Sequence, residues 1–244
     1  VYDHPARKAT FVGDVKVEGG GKTLRCRKLE ISIQRGNGST PSITGLVARG
    51  SVWLRYEGLT AMGKRLKWQN VTQTCKLRGE EASIKTPRFT LTGSHLTFFR
   101  LNNRFQVDGP GTLSWDTGTS ASENGTNDSQ DYRPGLLNSS GEAGQTVINW
   151  QEDMTYDKSE QWAVFKGGVK AQQGKTSLSG RTLELQFGKQ NRQVKKGIAR
   201  GSARLVKRQS DGRKIVFRCE NMNWMPGNGT LRLKSPEGQK VHVQ

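Results

Sequence analysis

Three histidines, three cysteines and two adjacent carboxylate pairs are the first places to look for chemistry in this 244-residue chain. His4, His95 and His242 are scattered near the two ends and the middle. No H-E-x-x-H spacing joins them, so they do not form a metal site. Cys26, Cys75 and Cys219 lack a C-x-x-C spacing and are too few for a disulfide framework. They read as buried small hydrophobes. Glu80-Glu81 and Glu152-Asp153 are neighbours, and neighbours on a strand point to opposite faces, which is poor geometry for shared acid–base work. Gly19-Gly20-Gly21-Lys22-Thr23 has the lysine and threonine of a phosphate loop without its G-x-x-x-x-G-K spacing, and reads as a hairpin turn between Val17 and Leu24. Neither catalysis nor a metal or organic cofactor is expected.

What remains is recognition of negative charge. Lys and Arg number 39 against 21 Asp and Glu, a net +18. Nine of the acids fall between Asp116 and Glu160 with only Arg133 and Lys158 as bases, so the rest of the chain carries about +25. Nucleic acid, an acidic glycan or lipid phosphates would each answer such a field, and a solvated strand surface would carry it as well. Arg and aromatic residues interleave at Trp53-Leu54-Arg55-Tyr56, Phe98-Phe99-Arg100 and Arg104-Phe105. Such pairs stack on bases in nucleic-acid domains, but alternation on a strand would place ring and base on opposite faces.

The elements that position these side chains announce themselves as a phrase returning about every thirty residues, the mark of stacked supersecondary units. It reads Phe11-Val12-Gly13-Asp14-Val15-Lys16-Val17, then Leu24 to Ile31; it returns as Phe165 to Ala171, then Leu178 to Leu185. Ala48-Arg49-Gly50-Ser51-Val52 is echoed by Ala199-Arg200-Gly201-Ser202-Ala203. Apolar and polar residues alternate with a period of two through most segments, predicting strands. No capped stripe with helical spacing predicts a long helix. The apolar phase switches between Cys26 and Leu29, and again between Gly180 and Leu183. One residue that flips facing predicts a β-bulge or a corner.

Glycine, 30 of the residues, offsets the 32% hydrophobic content, and no apolar run is long enough for a membrane helix. Asp116 to Thr146 is polar and acidic, and predicts a mobile loop. The expected organisation is one continuous stack, 1–244, of two similar halves, 1–115 and 147–244, joined by that loop (116–146). The chain opens at Val1 without a signal sequence, which suggests a processed protein or a fragment of a longer protein.

Ala6-Arg7-Lys8-Ala9-Thr10-Phe11-Val12-Gly13-Asp14-Val15-Lys16-Val17 and Ala48-Arg49-Gly50-Ser51-Val52 resemble the OstA-like domain of the LptA/LptC-type periplasmic lipopolysaccharide-transport family. Its pattern, F-x-G-x-V-x-V, a turn and a leucine-rich return, is met at Phe11 to Ile31 and Phe165 to Leu185, and more loosely at Arg49 to Trp68 and Arg200 to Trp224. The resemblance covers about four-fifths of the chain. It implies an all-β, open twisted β-jellyroll with a V-shaped apolar slot, non-enzymatic and periplasmic. The slot would shield the acyl chains of lipopolysaccharide or another anionic amphipathic lipid. Open sheet edges would stack on other jellyroll domains of the transport bridge, or on copies of the chain as a homo-oligomer.

Matching places in the repeat then assign the slot to Phe11, Val15, Val52, Leu54, Phe165, Val169 and Leu205, with Arg55 and Arg204 as anion-contacting residues at its rim. A basic β-domain for nucleic acid or acidic polysaccharide is the alternative. A parallel β-helix enzyme would need carboxylates on successive coils, and none are aligned that way.

Overall fold

The computed structural model describes residues 2–3, 7–34, 41–116, 145–188, 194–209, 211–226, 229–235 and 242–243. They form sixteen strands and no α-helix. In chain order these are β1 (Tyr2–Asp3), β2 (Lys8–Gly19), β3 (Lys22–Gln34), β4 (Ser42–Tyr56), β5 (Leu59–Gln69), β6 (Thr74–Lys85), β7 (Phe89–Phe99) and β8 (Arg104–Asp116), then β9 (Gln145–Trp150), β10 (Asp153–Asp157), β11 (Trp162–Gln173), β12 (Thr176–Phe187), β13 (Val194–Arg208), β14 (Lys214–Met225), β15 (Thr230–Lys234) and β16 (His242–Val243). Most of the expected loop, 117–144, lies outside the described residues; Asp116 closes β8, and Gln145 and Thr146 open β9.

Backbone proximity divides the chain into two units, Val1–Gly111 and Thr112–Gln244. In the first, β1 to β7 form an antiparallel meander in which each strand pairs with the next. The second is another antiparallel meander, β10 to β15; β9 lies on β11 beside Lys170 to Gln173, and β16 lies on β14. The hairpin turn predicted at the glycine run is present, with Gly20 and Gly21 both at positive φ and Gly19 paired to Lys22.

Both predicted phase switches are bulges, and the register shows why they recur. Long strands carry a corner near their middle. On β2 it holds two residues, Gly13-Asp14, and on β3 opposite it holds one, Arg27. The two-against-one count continues with Gly50-Ser51 on β4 and Lys64 on β5, and in the second unit with Gly167-Gly168 on β11, Arg181 on β12, Gly201-Ser202 on β13 and Glu220 on β14. Strand β6 differs, with Gly79, Glu80 and Glu81 at its corner against Ser94 on β7. An extra residue bends the strand, and here the unequal counts return both partners to the same facing beyond the bend. The apolar side therefore stays on one side throughout each strand.

Glycine at these corners is a steric requirement. Gly50 and Gly201 have φ near +76° and +77°, and a Cβ there would lie 2.9 Å from Cβ of Arg27 and 2.5 Å from Cβ of Arg181. The single-residue corner of one strand thus lies over the glycine of the next, which explains the repeated Ala-Arg-Gly-Ser phrase.

A candidate apolar binding face

Pairing in register puts the leucines of the repeat into rows, since directly paired residues share a face. On one side of the corner in the first unit, Phe11, Leu29, Ala48, Leu66, Leu77 and Leu96 form a single row across β2 to β7. Next to it runs Ala9, Ile31, Leu46, Trp68, Cys75 and Phe98. Beyond the corner, Val17, Leu24, Leu54, Ala61, Ile84 and Leu91 form a third row on the same face. Leu29 and Ala48 are fully buried, and burying such a leucine contributes about 1.5–3 kcal/mol.

The second unit repeats the scheme. Met154, Phe165, Leu183, Ala199, Met222 and Leu233 form one row. Ile148, Ala171, Leu178, Leu205 and Phe217 form another beyond the corner. The Trp150 and Phe165 rings meet at 5.4 Å. The face ends in polar residues: Thr146, Gln173 and Thr176 are aligned in register and almost wholly buried.

Of the seven predicted slot residues, Phe11, Val15, Val52 and Leu54 share the apolar face of the first unit, and Phe165, Val169 and Leu205 that of the second. Their burial differs. Val52, Phe165 and Val169 are closed off, Val15, Leu54 and Leu205 are half-buried, and Phe11 is 47% exposed. Phe11 is open because β1 pairs only with Lys8 and Ala9, which leaves β2 with a strand on one side from Phe11 onward among the described residues. Val17, also on β2, is exposed for the same reason.

Arg55 and Arg204 stand on the opposite face. Arg55 is exposed near the end of β4, paired with Thr23 and Thr60. Arg204 is half-buried within its arm, paired with Ser179 and directly opposite Arg218. Sequence reasoning left Leu24, Leu29, Leu178 and Leu183 out of the face although they flank the phase switches that reveal it. Val206 and Val216 are also buried, on the side away from Leu205.

The cysteines are part of this apolar packing. Cys26 and Cys219 are buried, and desolvation raises both thiols. Cys75 keeps some surface, yet burial around its sulfur pushes it up to about 11. Raised thiols are poorly nucleophilic near neutral pH. A thiol-reactive disulfide reagent at pH 7.5 should therefore label the folded protein slowly and all three sites quickly in denaturant; rapid labelling of the native state would contradict this packing.

The opposite face carries ion pairs, Lys16–Glu18 at 2.9 Å and Lys64–Glu80 at 2.5 Å, both exposed, and the half-buried Lys28–Glu30 at 2.8 Å. Each pair holds its glutamate below the ordinary carboxylate range, chiefly through the lysine hydrogen bond. Exposed pairs of this kind add little to stability. No cluster of His, Cys, Asp and Glu among the described residues has the arrangement of a metal site.

The chain is similar in structure to LptH, the LptA-homologous periplasmic component of the lipopolysaccharide transport device of Pseudomonas aeruginosa, at 11% identity over 76% of this chain and 93% of that one, with a TM-score of 0.42. That likeness is too distant to carry weight by itself, and no curated protein matches the sequence. A family model does match, over residues 1–104 and 152–238, and its description is LptA/(LptD N-terminal domain) LPS transport protein. The match takes in the bulged strands of both units and most of the chain, and on that ground the protein belongs to the LptA/LptD N-terminal family of lipopolysaccharide-transport proteins.

Proposed function

We propose that the protein binds lipopolysaccharide, or a closely similar anionic lipid, and passes it through the cell envelope without chemical change. In this reading the acyl chains lie against the apolar face of each unit, in a slot formed by the arms on either side of the corners. The observation that carries it is the uncovered end of the apolar rows: Phe11 and Val17 are exposed while their register partners on the next strand, Leu29 and Leu24, are buried. An apolar strip that runs from core to solvent can accept hydrocarbon without opening the fold, and each Å2 taken from water is worth about 25 cal/mol. Arg55, exposed near the end of β4, would then meet phosphates at the rim.

Among the described residues one side of β2 has no partner strand from Phe11 onward, and this supports a second element of the proposal. Unpaired strand edges recruit other strands, so an edge-to-edge contact with another jellyroll domain of a transport bridge, or with a second copy, would extend the sheet from Phe11 onward. The location that fits both roles is the periplasm.

Site-specific photocrosslinking tests both parts. A photoreactive residue at Leu54 or Leu205 should crosslink lipopolysaccharide, and one at Trp53 or Arg204, facing the other way, should not. The same probe at Val12, 78% exposed on β2, should instead yield protein–protein adducts. Lipid adducts confined to Trp53 and Arg204 would sink the apolar-face reading.

A further inference from the structure

The face opposite the apolar rows carries a line of positive charge in the first unit. Lys28 pairs with Arg49, Arg49 with Arg65, Arg65 with Arg78, and Arg78 with His95. Four cations and a histidine thus stand side by side on five consecutive strands, immediately before the corner. Neighbouring strands are about 4.8 Å apart, so the four cations recur at that spacing along one line. In the next row out, Lys67 and Lys76 are paired with each other. Glu30 is the one acid in these two rows, and it reaches Lys28 at 2.8 Å and Arg49 at 3.9 Å. Arg65 and Arg78 have no ion-pair partner among the described residues.

Like charges directly opposite each other on a sheet are destabilising, so stability of the strands does not account for the line. Nor does the fold demand it. The corresponding row of the second unit reads Lys166, Thr182, Arg200, Asn221 and Lys234, with neutral residues separating the cations. There Arg200 is also neutralised by Glu184.

We infer that this row is a second binding site, for an anionic oligosaccharide laid across the strands of the first unit. A glycan carrying one carboxylate or phosphate per sugar ring repeats its charge along the chain at close to the strand spacing, and arginine pairs with either group in bidentate geometry. Single-stranded nucleic acid fits less well. It is held by stacking on aromatic rings, and the two basic rows offer one alone, the imidazole of His95 at the end of the first. The nearest outward ring beyond the corner, Trp53, is covered by Arg25 at 5.3 Å. The site is separate from the apolar face and stands or falls independently of lipid binding there.

The probes are hexagalacturonate, the delipidated core oligosaccharide of lipopolysaccharide, a single-stranded thymidine oligonucleotide of equal charge, and phosphatidylglycerol vesicles, each titrated calorimetrically into the whole protein. One or both sugars should bind, with steep salt dependence, more tightly than the oligonucleotide or the vesicles. Binding of the core oligosaccharide alone would identify a glycolipid as the source, and binding of hexagalacturonate as well would identify acidic glycans in general. Arg65→Gln with Arg78→Gln should weaken sugar binding about tenfold and halve the slope of log affinity against log salt. Lys170→Gln with Lys175→Gln removes the same charge from exposed positions of the second unit and should change binding less than twofold. Relief of repulsion should also raise the Tm of the Arg65/Arg78 variant. The inference is overturned if the two double variants weaken binding equally, if the oligonucleotide or the vesicles bind more tightly than both sugars, or if that Tm falls.

Discussion

Val52→Asp and Val169→Asp should each abolish lipopolysaccharide binding and remove most of the cooperative thermal transition. Both valines are 2% exposed, and each lies just past a corner on the apolar face. Their register partners are glycines, Gly63 and Gly180, so no neighbouring side chain on those strands could pair with a carboxylate. An unpartnered charge in such a place costs several kcal/mol even after its pKa adjusts, a large part of the 5–15 kcal/mol that stabilises an ordinary domain. Arg55→Gln should keep the melting curve and weaken lipid binding only at low salt, as expected of an exposed charge. Circular dichroism melts with parallel lipid crosslinking check both, and a Val52→Asp protein that melts normally and still crosslinks lipid would mean that the slot has been misplaced.

Gly197→Ala should be nearly as damaging although it adds a single methyl group. Gly197 is paired with Trp224, and a Cβ there would fall 2.0 Å from Cζ2 of the indole. Neither Trp224 nor the strand backbone can yield that distance without disturbing the row that contains Leu185 and Ala163. Overpacking of this kind costs about 1–3 kcal/mol or more, and the buried indole should report it as a red shift in fluorescence. Gly19→Ala is the matching control, because nothing lies within 4 Å of its Cβ position and its φ is unstrained. Equal melting temperatures for the two variants would show that the ring has room to move.

The strands and their bends were legible from local pattern alone. Alternation gives the strands, and the switch between Cys26 and Leu29 or between Gly180 and Leu183 gives the corners, because facing is a property of a few consecutive residues. Burial was less legible. Phe11 and Phe165 occupy the same place in the repeat, yet one is 47% exposed and the other fully buried, since among the described residues β2 has a partner on one side there while β11 is flanked on both. How many strands lie alongside is not written in the phrase itself. The line of Lys28, Arg49, Arg65 and Arg78 was invisible for a related reason. Its members are irregularly spaced in sequence, and only the offsets introduced by turns and bulges bring them together.

The alternation of two-residue and one-residue corners also restricts how such a protein can change in length. Beyond a bend the apolar side chains keep their face only if the number of residues in the corner keeps its parity, so a single residue gained or lost there would turn every apolar side chain beyond the bend toward solvent. A change of two leaves the facing intact: Gly79, Glu80 and Glu81 of β6 hold the place that Lys64 alone holds on β5, and Leu77 and Ile84 still line the same face as Leu66 and Ala61. Insertions at the corners of such a protein should therefore come in pairs of residues.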